Sequence, residues 1–349
     1  MIGCHARHSS LVDVRDSLDI ETVSAALVTS GQPWRGVEFH AALGSTNTRL
    51  RELVTGAAPP TGPYAVRPGA PEGGRWWVVL TDHQTGGRGR LGRAWEVPDR
   101  ASVAVSCAIP VTDPAVAGWL PLLAGLALSR ALREVTRAAG HELEPRLKWP
   151  NDVLLADDGD RKVSGILSEL VVAPSAPSAP SASGAPSASG APSGLSGPTA
   201  PSGPSGSDAS RARPGHTAYV VIVGTGVNID QTRGELPVDT ATSLALAGVT
   251  VRREDVVVAY LRELAALLPG VDGTGTPPAG GVGAVDEAAR AAYVAACSTV
   301  GAHVRVHLPT GEAVEGDAVD VDRDGGLVVA TPRGRRSFAA GDVVHVRRP

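Results

Sequence analysis

The sequence predicts an α/β domain followed by a small all-β barrel. Three observations carry that expectation. Apolar runs that read as strands, at residues 75–81, 102–109 and 216–223, alternate with segments of helical spacing, above all residues 115–139. From Gly301 the pattern changes to short alternating runs such as Val304-Arg305-Val306-His307-Leu308, cut by Pro309-Thr310-Gly311, Asp324-Gly325-Gly326 and Pro332-Arg333-Gly334. A chain of 349 residues, 42% of them hydrophobic, is long enough for one substantial core plus a second unit of roughly 48 residues.

Taken in order, residues 1–36 form an N-terminal extension with one helix, for which Asp19 is the N-cap candidate and Ile20, Val23, Ala26 and Leu27 share a side. That is too little chain for a winged DNA-reading domain. Residues 37–40 read as a short strand. Gly44-Ser45-Thr46-Asn47 then starts a helix carrying Leu50, Leu53 and Val54, and Ser45 or Thr46 taken alone is an ordinary N-cap.

The strand at 75–81 delivers Asp82-His83-Gln84 and then Gly86-Gly87-Arg88-Gly89-Arg90-Leu91-Gly92-Arg93, succeeded by Ala94-Trp95. Glycines let the backbone bend tightly while three arginines fold over an anion, so the stretch reads as a lid that closes on phosphate. It also contains Gly87-x-Gly89-x-x-Gly92, the bare pattern of a dinucleotide-binding turn. That reading needs a helix at the third glycine. The chain instead continues as Trp95-Glu96-Val97-Pro98-Asp99 and another apolar strand, which leaves no helix start to receive a pyrophosphate. A solvated Arg/Gly loop is the other alternative on the stretch alone.

Trp119, Leu122, Leu123, Leu126, Leu128 and Leu132 make 115–139 a core helix, with Gly140 as its stop. Leu147-Lys148-Trp149-Pro150-Asn151-Asp152-Val153 leads into a hairpin that turns at Asp157-Asp158-Gly159-Asp160 and returns over residues 161–170, through Lys162 and Gly165. Two lysines beside a hairpin, taken alone, are solvated decoration. Between about 173 and 215 the composition collapses to Pro, Ser, Ala and Gly, which reads as a disordered insertion because so little apolar surface cannot offset the ordering entropy. The strand at 216–223 then runs into Gly224-Thr225-Gly226-Val227-Asn228, expected as a glycine turn that serves either a close ligand or plain tightness. Helices are expected around 256–267 and 286–297.

The totals exclude several classes. A formal charge of −4 gives the chain no general attraction for nucleic acid, so cationic chemistry must be local. Cys4, Cys107 and Cys297 form no C-x-x-C pair, which argues against zinc and disulfides and for a reducing, cytoplasmic setting. Met1-Ile2-Gly3-Cys4-His5 is not a signal-peptide start, and no apolar run is long enough to span a membrane.

Four stretches now stand in order: Ser45-Thr46-Asn47, the Arg88/Arg90/Arg93 loop, Lys148-Trp149-Pro150-Asn151-Asp152 with Lys162-Val163-Ser164-Gly165, and Gly224-Thr225-Gly226-Val227-Asn228. Together they closely resemble the biotin protein ligases of the monofunctional type, the biotin–(acetyl-CoA-carboxylase) ligases. The resemblance implies an α/β (α+β) catalytic domain on a mixed sheet, like class II synthetases and lipoate ligases, over residues 37–300, and an SH3-like barrel over 301–349. It implies a two-step reaction. Biotin's carboxylate attacks the α-phosphorus of ATP to give biotinyl-5′-adenylate, and a lysine of a biotin carboxyl carrier protein takes the biotinyl group.

By the same resemblance Ser45, Thr46, Gln84, Gly87, Arg88, Arg90, Lys162 and Gly165 contact biotin. Arg90, Arg93, Trp95, Lys148, Asn151 and Asn228 fall on the ATP side, with Arg347 approaching the nucleotide. Arg88, Arg90 and Lys162 are the catalytic candidates. They would offset the repulsion of carboxylate and phosphate, about 1 kcal/mol per pair of unit charges at 4 Å in water and about 4 at an effective dielectric of 20. Mg²⁺ is expected with ATP, with Asp152 as the candidate to reach it. The resemblance further implies a monomer or weak homodimer with no nucleic-acid or membrane partner. Lipoate-type ligase and biotin-responsive repressor are the competing functions. Residues 231–246 hold no aromatic side chain to cover adenine.

Overall fold

A computed structural model of the chain describes residues 15–29, 32–63, 76–173, 218–268, 281–339 and 341–346. The expected N-terminal helix is α1 (Ile20–Leu27), and the Asp19 carboxylate accepts from Thr22 N, satisfying one of the donors a helix start leaves open. Seven strands make the main sheet: β1 (Gly36–Leu43), β2 (Trp77–Gln84), β3 (Ser102–Val111), β4 (Pro145–Lys148), β5 (Asp152–Leu155), β6 (Arg161–Ala173) and β7 (Ala218–Asn228). Their order is β1-β2-β3-β7-β6-β5-β4. β1 and β2 run parallel, with α2 (Thr46–Thr55) between them in the chain, and the other neighbours are antiparallel, so the sheet is mixed as expected.

The two faces of this sheet are filled differently because side chains alternate along each strand. Val103, Val105, Cys107 and Ile109 of β3 join Val221, Val223 and Val227 of β7 in the large core shared with α3 (Leu120–Ala138) and α4 (Arg253–Leu267). Ala108, Val220 and Ile222 face the other way, against Leu50 and Val54 of α2. On that second face a row of partners crosses four strands as Thr81, Ala104, Gly226 and Gly165. Small residues there leave a hollow beside α2.

Two local expectations are corrected. The glycine turn at 224–228 is strand, since β7 continues through it to Asn228. Glycine serves clearance instead: a Cβ on Gly224 would stand 2.2 Å from Asn47 Oδ1, and one on Gly226 2.6 Å from the Trp95 ring. The long helix begins at Leu120, not at 115. Pro121 in its first turn has no N–H and its ring would collide with an earlier carbonyl, so residues Pro114–Gly118 form a 3-10 turn instead. Gly140, at φ +83, stops the helix as expected.

After α5 (Glu287–Ala296) come β8 (His303–His307), β9 (Ala313–Val321), β10 (Leu327–Thr331), β11 (Gly334–Phe338) and β12 (Asp342–His345). They form an antiparallel sheet in the order β11-β10-β9-β8-β12. β12 returns to β8 rather than to β11, so where a small barrel is expected the described residues form an antiparallel sheet with two edges and no closed barrel. Val304, Val306, Leu327 and Val329 nevertheless pack into the same core as the main sheet. Trp149 Nε1 donates to Gly325 O (3.0 Å), and Trp119 Nε1 to Arg323 O (2.8 Å), tying the second sheet to the first.

The N-terminal segment is equally joined to the body. The Asp82 carboxylate is nearly inaccessible and takes Arg253 Nη1 (2.8 Å), Leu18 N (3.1 Å) and Ser17 Oγ (2.5 Å), as a buried charge must. β6 and β7 stay paired to Ala173 opposite Ala218, so the insertion expected at 173–215 joins those strand ends and otherwise lies outside the described residues. No described helix is long and apolar enough to cross a membrane.

Candidate active site

A cavity of about 890 Å³ lies between the start of α2, the arginine loop, the glycine face of β6 and β7, and β12. Gly224, Gly226 and Asn228 face it in turn along β7, a run of about 13 Å at roughly 3.3 Å per residue. Each stretch of that strand serves a different part of the wall.

Beside Gly224, the polar groups are fixed in direction by a chain of hydrogen bonds. Ser45 caps α2 with its side chain on Thr48 N, which presents Thr46 and Asn47 to the sheet. Asn47 Nδ2 donates to Glu169 Oε1 (3.0 Å) and Leu167 O (3.4 Å), groups that can only accept, so its Oδ1 takes the Ser106 hydroxyl proton (2.6 Å). Glu169 is also paired with Arg51. Ser106 Oγ lies 2.7 Å from Thr46 Oγ1, and Thr46 N and Oγ1 both reach Gln84 Oε1 at 3.1 Å. An N–H can only donate, so Gln84 must turn its oxygen to Thr46. Toward the cavity, Gln84 is left a donor and Thr46 an acceptor.

Around Gly226 the floor is clear. The Trp95 indole lies over Gly226 and Gly165, and its shielded Nε1 has no acceptor among the described residues. Lys162 Nζ stands 5.8 Å from the Trp95 ring centroid and 2.6 Å from Asp152 Oδ1. A Cβ on Gly165 would stand 3.0 Å from the same ammonium and 3.3 Å from the Trp95 ring, so glycine keeps that position uncrowded.

The arginine loop is a narrow hairpin. Trp95 N bonds Gly87 O (2.9 Å) and Gly89 N bonds Arg93 O (2.7 Å), with Leu91 and Gly92 at positive φ in its tip. Gly87 lies behind the cavity wall: a Cβ there would meet Trp95 O at 2.3 Å. Arg90 Nη1 reaches Asn151 Oδ1 (3.3 Å) and Gly341 O (3.2 Å), and Arg93 Nη2 reaches Asp342 Oδ1 (3.0 Å). Burial lowers the Arg90 pKa while Asp342 and Asp152 push it back up, and a guanidinium stays cationic throughout. Arg88 is exposed and, among the described residues, has no hydrogen-bond or ion-pair partner.

Beyond Asn228 the wall is loop. Asn228 Nδ2 donates to Thr242 O (2.8 Å) and its Oδ1 accepts from Gln231 Nε2 (2.9 Å), so this amide clips the loop in place. Leu236, Pro237 and Val238 line the cavity there, an aliphatic cover in place of an aromatic one. Arg15 secures the same loop through Asp230 (2.9 Å) and Glu235 (2.9 Å), and its hydrogen bond holds the Glu235 carboxyl down at about 2. Lys148 and Asn151 complete this end.

Thus Ser45, Thr46, Gln84, Arg88, Arg90, Arg93, Trp95, Lys148, Asn151, Asp152, Lys162, Gly165 and Asn228 all line one cavity, although they come from positions far apart in the chain. Arg347 falls outside the described residues. Ser106, Glu169, Gln231, Arg15 and Asp342 gave no local signal, because each becomes polar wall or support only through its partner. One signal was available: the sequence holds two lysines against thirty arginines, and both lysines line the cavity. An ammonium is a compact point charge that a guanidinium does not replace.

The description Biotin/lipoate A/B protein ligase family matches residues 72–176, and the description Biotin protein ligase C terminal domain matches residues 299–346. A biotin–(acetyl-CoA-carboxylase) ligase of Mycobacterium tuberculosis is 30% identical over 336 residues, covering 96% of this chain and 98% of that one. The chain belongs to the biotin protein ligase family. A second relative of the same description, from Paracoccus denitrificans, is 39% identical over 97 residues, 28% of this chain and 37% of that protein. The fold of this ligase is also that of a biotin protein ligase from Aquifex aeolicus, solved with biotin and ATP. Its TM-score is 0.53 at 21% identity, over 90% of this chain and 99% of that one.

Proposed function

We infer that this ligase activates biotin with ATP and passes the biotinyl group to a lysine of a biotin carboxyl carrier protein of acetyl-CoA carboxylase. The observation that carries the choice of substrate is the fixed polarity beside Gly224. A donor from Gln84 next to an acceptor at Thr46 suits a neutral ring that presents C=O beside N–H, as biotin's ureido group does. A dithiolane has neither, and would leave those groups unpaired at about 1–3 kcal/mol each. Lipoate is therefore disfavoured.

With the ureido ring at Thr46 and Gln84, the valeryl chain runs over the Gly226 floor and the carboxylate arrives near Lys162, Arg88 and Arg90. ATP lies toward Lys148, Asn151, Asn228 and Arg93, under the aliphatic loop. A carboxylate oxygen attacks the α-phosphorus, the bond to the bridging oxygen breaks, and pyrophosphate leaves. Cations already in place lower the charge repulsion and need not reorganise as charge builds on the phosphoryl oxygens. In the second step an unprotonated lysine amine of the carrier attacks the acyl carbon and AMP departs. The amine proton passes to solvent.

Mg²⁺ fits as a companion of the nucleotide rather than as a resident ion. Among the described residues no cluster of three His, Cys, Asp or Glu could hold a metal. Asp152 is the residue we assign to share it, and shielding of the phosphates is what it would supply. We assign residues 37–300 to the catalytic unit and 301–349 to an SH3-like unit, and take the ligase to work in the cytoplasm, as a monomer or weak dimer, on protein rather than nucleic acid. Purified chain incubated with biotin, ATP, Mg²⁺ and a carrier domain should give one avidin-reactive band on the carrier. Labelling with lipoate in place of biotin would refute the assignment.

A further inference from the structure

We propose that this ligase is refractory to acylation by its own activated intermediate, because its surface carries no lysine. The inference rests on the biotin-adenylate reading above. Of its 32 basic residues only Lys148 and Lys162 are lysines, and both lie in the cavity wall. The remaining thirty are arginines, whose guanidinium groups stay protonated and have no lone pair for an acyl carbon. Exchange of lysine for arginine keeps every role that charge plays on a surface. What it deletes is the nucleophilic amine, whatever process produced the exchange.

The chemistry makes that deletion consequential. A biotinyl-adenylate is a mixed anhydride: an unprotonated amine attacks its acyl carbon, the bond to the phosphate oxygen breaks, AMP leaves, and the amine proton goes to solvent. An enzyme that makes such a species is the nearest protein to every molecule that escapes. Among the described residues thiols are no easier to reach, since Cys107 and Cys297 are buried and burial raises the Cys107 pKa well above the thiol range. The two lysines that remain are shielded by their own site. Lys162 Nζ is held 2.6 Å from Asp152 Oδ1, and Lys148 sits in the same cavity wall, so both amines are confined to the site rather than offered on the outer surface. Outside the cavity wall the α-amino group is then the principal amine left, with an ordinary pKa of about 8.

Synthetic biotinyl-5′-adenylate, added to the full chain without ATP, tests this apart from the ligase reaction. We expect at most one biotinyl group per chain by intact mass, mapped to the α-amino group, and unchanged carrier labelling afterwards. Arg137→Lys and Arg335→Lys, both at exposed positions on the described surface, should each add one further adduct at the new lysine. An adduct on Lys148 or Lys162, or failure of both variants to gain a label while a lysine-bearing bystander protein is labelled, would overturn the proposal. A parallel incubation with ATP, biotin and carrier keeps the two readings separate, because loss of carrier labelling there counts against the ligase assignment alone.

Discussion

Gly165 of β6 and Gly226 of β7 stand opposite one another across the sheet, and the indole of Trp95 lies over the pair. The relationship joins three distant parts of the chain. Two strands give up their side chains at one register position, and the arginine loop places its terminal tryptophan there, beside Lys162. The depth of the cavity is set by what these glycines lack.

Gly226→Ala should therefore act as overpacking. Its Cβ would meet the Trp95 ring at 2.6–2.8 Å, backed by a strand that cannot retreat. Stability should fall by about 1–3 kcal/mol in urea unfolding, and pyrophosphate release should fall at least about tenfold. Wild-type behaviour in both would mean the indole moves aside freely.

Lys162→Arg keeps charge but replaces a compact ammonium, fitted between Asp152 and Gly165, with a planar fork. We expect kcat/KM for adenylate formation to fall about 100-fold with little change in thermal midpoint. A loss under threefold would show that any cation suffices.

Ser106→Ala leaves Asn47 Oδ1 without its donor and frees the Thr46 hydroxyl to reorient. One misdirected hydrogen bond, about 1–1.5 kcal/mol, corresponds to a rise of roughly 5- to 12-fold in KM for biotin. Steady-state kinetics should find kcat within about twofold. A fall in kcat with KM unmoved would place Ser106 outside recognition.

Acid should loosen the loop over the nucleotide end. The Glu235 pKa is depressed from 4.5 to about 2 by Arg15, so its stabilising share is present above the ordinary value and is lost as pH falls toward the folded one. Arg15→Ala should be less stable than wild type at neutral pH, and that gap should narrow between about pH 4.5 and 2. A gap independent of pH would assign the loss to packing.

Asp342→Asn removes the carboxylate that Arg93 grips across the cavity mouth. Exposed pairs contribute about 0–1 kcal/mol, so trypsin cleavage within residues 88–93 should speed up by no more than about fivefold. Biotin with ATP should slow it again. Cleavage insensitive to those substrates would argue that the arginines do not settle on an anion.

Much of this was legible along the chain. Asp19 and Ser45 mark helix starts by a local rule, a short acceptor beside open N–H groups, and both cap as that rule requires. The strand at 102–109 was readable because burial on both sides makes an apolar run, and that at 161–170 because it returns from the turn at Asp157-Asp158-Gly159-Asp160. Local rules misread Gly224 and Gly226 as a turn, since a glycine that relieves a clash and one that permits a bend look the same until the clashing partner is known. β12 illustrates the other limit. Its four residues carry no chemical signature, yet Asp342, Val343 and Val344 form part of the cavity wall.

The sequence by itself determined the order of elements, the cationic loop and the two lysines, because each depends on neighbours within a few residues or on composition. Only the tertiary structure decided which way Gln84 and Thr46 present donor and acceptor, that Asp152 holds Lys162, and that a second sheet completes the wall. Those outcomes depend on atoms brought within about 3 Å from positions ten or more residues apart, and hydrogen bonds and charge pairs lose their hold beyond such distances.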